Sequence, residues 1–181
     1  DTLLKKVKEL FGALPKGPAP PAVRSVEPEQ QVTRRVTYRS PKTNLAHLVY
    51  AYHVPAVSHE DAPALDVISS ILSSGRDCRL EKAFVETGLA SSVSAGYDAS
   101  RDPSLFSFDI EVMPGADPDT VEKELRKQIE NLKSDLVSDY ELQRAKNRYI
   151  ASEVFENQTV RTYGMKLGWY EVTGGDYRLM D

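Results

Sequence analysis

The period of the hydrophobic positions changes several times along this chain, and each change marks an element. Leu3, Leu4, Val7, Leu10 and Phe11 recur at helical spacing with Lys5, Lys6, Lys8 and Glu9 opposite. The chain therefore opens on an amphipathic helix, with Thr2 placed to cap it and Gly12 to end it. Pro15, Pro18, Pro20 and Pro21 crowd the stretch 14–21. They fix φ and remove amide donors, which predicts a semi-rigid linker. Residues 31–39 alternate around Val32, Val36 and Tyr38, the pattern of a half-exposed strand. A turn over 40–44 leads to a more buried strand over 45–54, stopped by Pro55.

Helical spacing returns over 60–74, where Ala64, Leu65, Val67, Ile68, Ile71 and Leu72 share a broad face. Ser58 and His59 are its candidate caps, and Gly75 its stop. A second, short helix over 78–87 ends at Gly88, and 89–97 then alternates as a strand. After a turn through Asp102 and Pro103, 105–113 alternates cleanly. Phe106, Phe108, Ile110 and Val112 make one face; Leu105, Ser107, Asp109 and Glu111 make the other. Asp117 and Pro118 cap and open a helix that turns Val121, Leu125, Ile129 and Leu132 inward. Ser138 and Glu141 form a capping box for the next helix, and helical pattern continues through Val160, Tyr163, Leu167 and Tyr170.

The order is ββααββααα. Strand pairs joined by short turns imply an antiparallel sheet, and the helices between pairs must pack on one of its faces. The expected fold is α+β with a ferredoxin-like order. Two segments are expected: a helix and Pro-rich interdomain linker over 1–22, and an α+β domain over 23–181.

Composition narrows the partners. A chain of 181 residues with 40% apolar and 28% charged residues suits one globular domain. The net charge of -4 comes from mixed signs without a clustered basic face, so no nucleic-acid partner is expected. No apolar run approaches the roughly 20 residues that cross a bilayer, so none of the chain is expected in a membrane. Cys78 is the single cysteine, which rules out an intrachain disulfide. Both ends read as cut, so a piece of a longer, bacterial-type soluble protein is expected. Its compartment, cytoplasmic or periplasmic, stays open.

The residues themselves offer little chemistry. His47 and His53 share a strand face but stand roughly 20 Å apart at a rise near 3.3 Å per residue, too far for one ion. His59, Glu60 and Asp61 are adjacent rather than at helical spacing, and read as a dressed helix N-terminus. No H-x-x-E-H, H-E-x-x-H, G-x-S-x-G or glycine-rich nucleotide loop occurs. Arg76 and Arg79 flank Cys78 and would favour a thiolate, but a lone cysteine at a helix start reads first as a small apolar residue. Asp109 and Glu111 fall on the solvent side of their strand. The residues alone imply neither a catalytic nor a metal site.

Several segments together resemble one family. Phe11-Gly12-Ala13-Leu14-Pro15-Lys16-Gly17 is similar to the passage joining two domains in pitrilysin/insulinase-type zinc peptidases, the group that includes mitochondrial processing peptidase. The run from Ala64 to Leu80, ending Ser73-Ser74-Gly75-Arg76-Asp77-Cys78-Arg79-Leu80, resembles that family's "L-(G/S)-x-G-x-x-SRL" passage. Glu86-Thr87-Gly88-Leu89-Ala90-Ser91-Ser92-Val93 resembles its "E-x-GLA-(Y/S)-S-V". Residues 105–112, 114–118 and 140–147 follow in family order, so the resemblance covers nearly the whole chain.

The resemblance implies a LuxS/processing-peptidase-like metallohydrolase domain of the non-catalytic, chamber-forming second type. Zinc would then be held elsewhere in the parent peptidase, which would act on peptides. The partners implied are other homologous domains of the same chain or a partner subunit. In some family members a Tyr directly after "GLA" and an Arg before it assist the reaction; here Ser91 holds the first position and Phe84 or Val85 the second. The fragment itself is expected to be inactive and free of cofactor. Arg76, Arg79 and Ser91 are its candidate chamber-lining or interdomain contacts, and Arg79 is expected to tie its loop down through backbone carbonyls or a carboxylate. A catalytically inert scaffold of the same ancestry and a stand-alone binding module are the rival readings.

Overall fold

A computed structural model describes residues 2–15, 17, 18, 21 and 27–180. The chain divides into two compact units, Asp1–Arg39 and Ser40–Asp181. In the first, α1 (Thr2–Phe11) has the expected amphipathic stripe, with Thr2 inside the helix rather than before it. The Gly12 amide bonds to Lys8 O at 2.9 Å, and a Cβ at Gly12 would stand 2.4 Å from that same oxygen, so glycine closes the helix for lack of room. Within the expected linker 14–21, Lys16, Ala19 and Pro20 lie outside the described residues, as do 22–26, where the second expected segment begins.

Residues 31–39 correct the sequence reading: they form no strand. Val36 is 90% and Tyr38 84% exposed. Alternation tells which side of an extended chain is apolar, not whether a partner stands beside it. A strand exists only when its amides find a neighbour.

The second unit holds β1 (His47–Val54), α2 (Ala62–Ser73), a single π-helical turn (Glu81–Val85), β2 (Ala90–Tyr97), β3 (Ser104–Val112), α3 (Pro118–Ser134), α4 (Asp139–Glu156) and α5 (Val160–Trp169). A second π-helical turn, Tyr170–Gly174, continues α5, and a short 3-10 turn, Tyr177–Met180, packs against it. The α+β class holds, with the first of the nine expected elements missing. The short helix expected over 78–87 is the π-helical turn, closed by Glu86 N–H to Glu81 O at 3.1 Å.

Three strands make an antiparallel sheet in the order β1-β3-β2. The register lines up rows across it: Leu48, Ile110 and Val93; Tyr50, Phe108 and Ala95; Tyr52, Phe106 and Tyr97. On this face Leu65, Ile68 and Leu72 of α2, Leu80 and Phe84 around the π-helical turn, and Val121, Leu125 and Ile129 of α3 complete the core. α4 packs in turn against α2. Alternate residues of β3 fall on the opposite face, where Leu105 is 44% exposed and Val49 of β1, opposite Asp109, 57%. Asp109 and Glu111 lie there as expected, and His47 Nε2 stands 3.9 Å from Asp109 Oδ1.

Caps follow the sequence closely where they are local. Asp117 accepts from the Asp119 and Thr120 amides at the start of α3, with Pro118 at its first position. At α2 the cap position is Asp61, whose side chain accepts from no amide of the helix; His59 Nδ1 takes the Asp61 amide instead, at 3.2 Å. Ser69 and Ser73 of α2 both donate to the Ala95 carbonyl, at 2.9 and 2.6 Å, tying the helix to edge strand β2.

Two substitutions test this division of burial. Leu125→Ala empties a fully buried site and is expected to cost about 2–5 kcal/mol. Val36→Thr, in the segment that forms no strand, is expected to stay within about 0.5 kcal/mol of the parent. Urea denaturation midpoints read both.

Candidate functional site

The side chains of greatest chemical density lie where α4 meets the turn between α2 and the π-helical turn. Gly75 leaves α2 at φ 85°, a region closed to most side chains. A Cβ there would also lie 2.5 Å from Arg148 Nη1. Arg148 uses that nitrogen to donate to Ser74 O at 2.6 Å, and Arg144 Nη1 donates to Asp77 O at 3.1 Å. Arg79 grips the same helix in the reverse direction: its Nε and Nη2 donate to the two carboxylate oxygens of Glu141, at 2.7 and 2.9 Å. Glu141, Arg144 and Arg148 are spaced three and four residues apart, which puts them on one face of α4.

Glu141 has a second task. Its amide donates to Ser138 Oγ at 3.3 Å, and its Oε2 accepts from Ser138 N at 3.1 Å, closing the capping box expected from the sequence. The Arg79 guanidinium, aided by the Ser138 donors, holds the Glu141 carboxyl at about 2, against an ordinary 4.5, and overrides the opposing effect of burial. Arg79 is raised in turn, first through its hydrogen bond to Glu141. Asp77, Arg79, Lys82, Tyr140, Glu141 and Arg144 line a surface cleft of about 380 Å³ here.

Of the three sequence candidates, Arg79 is therefore bound to a carboxylate, one of the two anchors expected for it. Arg76 is exposed on the same turn but does not line the cleft. Ser91 lies apart, exposed at the irregularity between Ala90 and Ser92 of β2, where its hydroxyl donates to Glu111 O at 3.3 Å. Phe84 is fully buried in the core, and Cys78 is buried as well. Sequence reasoning missed Arg144 and Arg148; only their spacing from Glu141 hinted at a shared face.

A second group joins α2, β2, α4 and α5. Asp66 is raised by burial and then by the charge of Glu153; burial likewise lifts Tyr97 and Tyr149 to about 12. Glu153 is paired with Lys166. Among the described residues, no three His, Cys, Asp or Glu side chains cluster as a metal site, and no helix is long and apolar enough to cross a membrane.

Acid stability reports the Arg79–Glu141 pair. Between pH about 4.5 and 2, unfolded chain binds a proton at Glu141 that folded chain does not, so stability rises with pH across that window and is complete above it. Glu141→Gln is expected to cost about 1–3 kcal/mol at pH 7, and to flatten the dependence of stability on pH in this window relative to the parent. Thermal unfolding of both proteins across the window reads the difference.

Comparison with known proteins places this geometry in a family. The family model for the peptidase M16 inactive domain matches residues 1–149. Zinc protease PqqE of Helicobacter pylori is 27% identical over 121 residues, which is 66% of this chain and 27% of that protein. The chain thus spans about a quarter of that relative's length. Two solved structures at 30% identity each overlap 74% of this chain. One, of a candidate zinc protease from Bordetella pertussis, has a TM-score of 0.67 over 74% of its own chain. The other, the inactive peptidase domain of a candidate zinc protease from Bordetella parapertussis, has 0.68 over 73%. A protease from Helicobacter pylori shares the fold over 99% of this chain and 45% of its own, with a TM-score of 0.89 at 24% identity. With 149 of its 181 residues matched, the chain belongs to the family of peptidase M16 inactive domains.

Proposed function

We propose that this chain is a chamber-forming, non-catalytic domain of a zinc-dependent endopeptidase or oligopeptidase. The observation that carries the reading is the sheet itself: α2 and α3 seal one face, and the other is exposed along β1 and half-buried along most of β3. Val49, Leu105, His47 and Asp109 of that face offer mixed apolar and polar contact to an extended peptide. The names of the relatives, zinc proteases, support the reaction class. Zinc and the groups that activate water are supplied by another domain of the parent protein or by a partner subunit. The exposed Arg76 and Ser91 are candidate contacts to those neighbours, whereas the Arg79 guanidinium is engaged within its own domain.

The scaffold reading shares every feature of this domain and differs only in the parent. A zinc-binding H-x-x-E-H helix elsewhere in the parent favours the peptidase.

Elemental analysis and a fluorogenic-peptide assay on the purified chain are expected to find no stoichiometric zinc and no hydrolysis. One tightly bound zinc per chain would overturn the assignment. In the parent protein, Ser107→Trp on the open face is expected to raise KM for peptides severalfold with zinc content unchanged.

A further inference from the structure

We propose that the cleft beside the Arg79–Glu141 pair binds a carboxylate, with Arg144 and Lys82 as its cationic ligands and the Tyr140 hydroxyl as a further donor. The ligand class is a peptide carboxylate: an Asp or Glu side chain, or a chain terminus. The inference does not depend on the peptidase reading.

Charge decides the ligand. Arg79, Lys82 and Arg144 line the cleft with Asp77 and Glu141. Arg79 and Glu141 neutralise each other through two hydrogen bonds, which leaves two cations against the single carboxylate of Asp77. Among the lining residues the surplus is one positive charge, matched to a monoanion. A phosphate dianion at the same place would exceed that surplus by one negative charge.

The walls are pre-built. The Arg79–Glu141 pair fixes one side, and the Asp77 carbonyl holds the Arg144 guanidinium through a single Nη1 donor. A guanidinium has five N–H donors in a planar fork that fits a carboxylate, so Arg144 keeps donors for a ligand. Lys82 is exposed on the π-helical turn and supplies a mobile point charge. Tyr140 is 73% exposed at the first turn of α4 and adds both an apolar ring and a hydroxyl. The volume, about 380 Å³, admits a side chain or a dipeptide end rather than a folded partner.

The test is an amide-resolved NMR titration of the whole chain at low ionic strength and pH 7. Four probes are used: an N-acetylated Glu dipeptide amide, its Gln counterpart, acetate and inorganic phosphate. Saturable shifts confined to 77–82 and 140–144 are expected with the Glu peptide and absent with the Gln peptide. Acetate binding as well as the peptide shows that the bare carboxylate suffices; weaker binding by acetate assigns the site to peptide carboxylates. Lys82→Gln leaves the α4 contacts in place and is expected to weaken the Glu peptide about two- to fivefold, while Asp77→Asn strengthens it by a similar factor. The proposal falls if the Gln peptide binds equally, if phosphate binds more tightly than the Glu peptide, or if Lys82→Gln and Asp77→Asn both leave affinity unchanged.

Discussion

Glu141 occupies the junction of two structural problems and answers both with one carboxylate. The first amides of α4 lack partners within the helix; Ser138 Oγ accepts from the Glu141 amide, and the Glu141 carboxylate accepts from the Ser138 amide. The turn that carries the chain from α2 to the π-helical turn has no regular structure of its own, and Arg79 anchors it to the same carboxylate. The charge of Glu141 is therefore needed twice, which is why it stays ionised far into acid. Arg144 and Arg148 extend the grip to Asp77 O and Ser74 O, so the irregular backbone is tied to α4 at Ser74, Asp77 and Arg79.

This fixation matters because the turn borders the core. Cys78 and Leu80 are buried immediately beside Arg79, and Phe84 follows one turn later. Were the turn to drift, Leu80 and Phe84 would lose their positions in the core cluster they share with β2 and β3. Gly75 completes the arrangement from the other side: its positive φ redirects the chain, and its missing Cβ leaves room for the Arg148 guanidinium. A short polar latch thus sets the geometry of an apolar layer, and that layer leaves the opposite sheet face free for contact.

Local signals were legible in the sequence and distant ones were not. Asp117 with Pro118, Ser138 with Glu141, and the alternation of Phe106 to Val112 are short-range patterns, and the structure follows each. The family resemblance was legible too, because it rests on ordered motifs rather than on contacts. The strand expected over 31–39 failed because its pattern carries no information about a partner. Ser69 and Ser73 carry no local signal of a tertiary role, yet they satisfy a carbonyl of an edge strand more than twenty residues away. Arg79 was expected to find an anchor, but its partner lies 62 residues further on, and nothing in the spacing could name it.

Arg79 and Glu141 act as one unit. A double-mutant cycle with Arg79→Gln, Glu141→Gln and the double variant measures this directly through unfolding free energies. A coupling of about 1–3 kcal/mol is the predicted result. Strict additivity of the two single effects would contradict it.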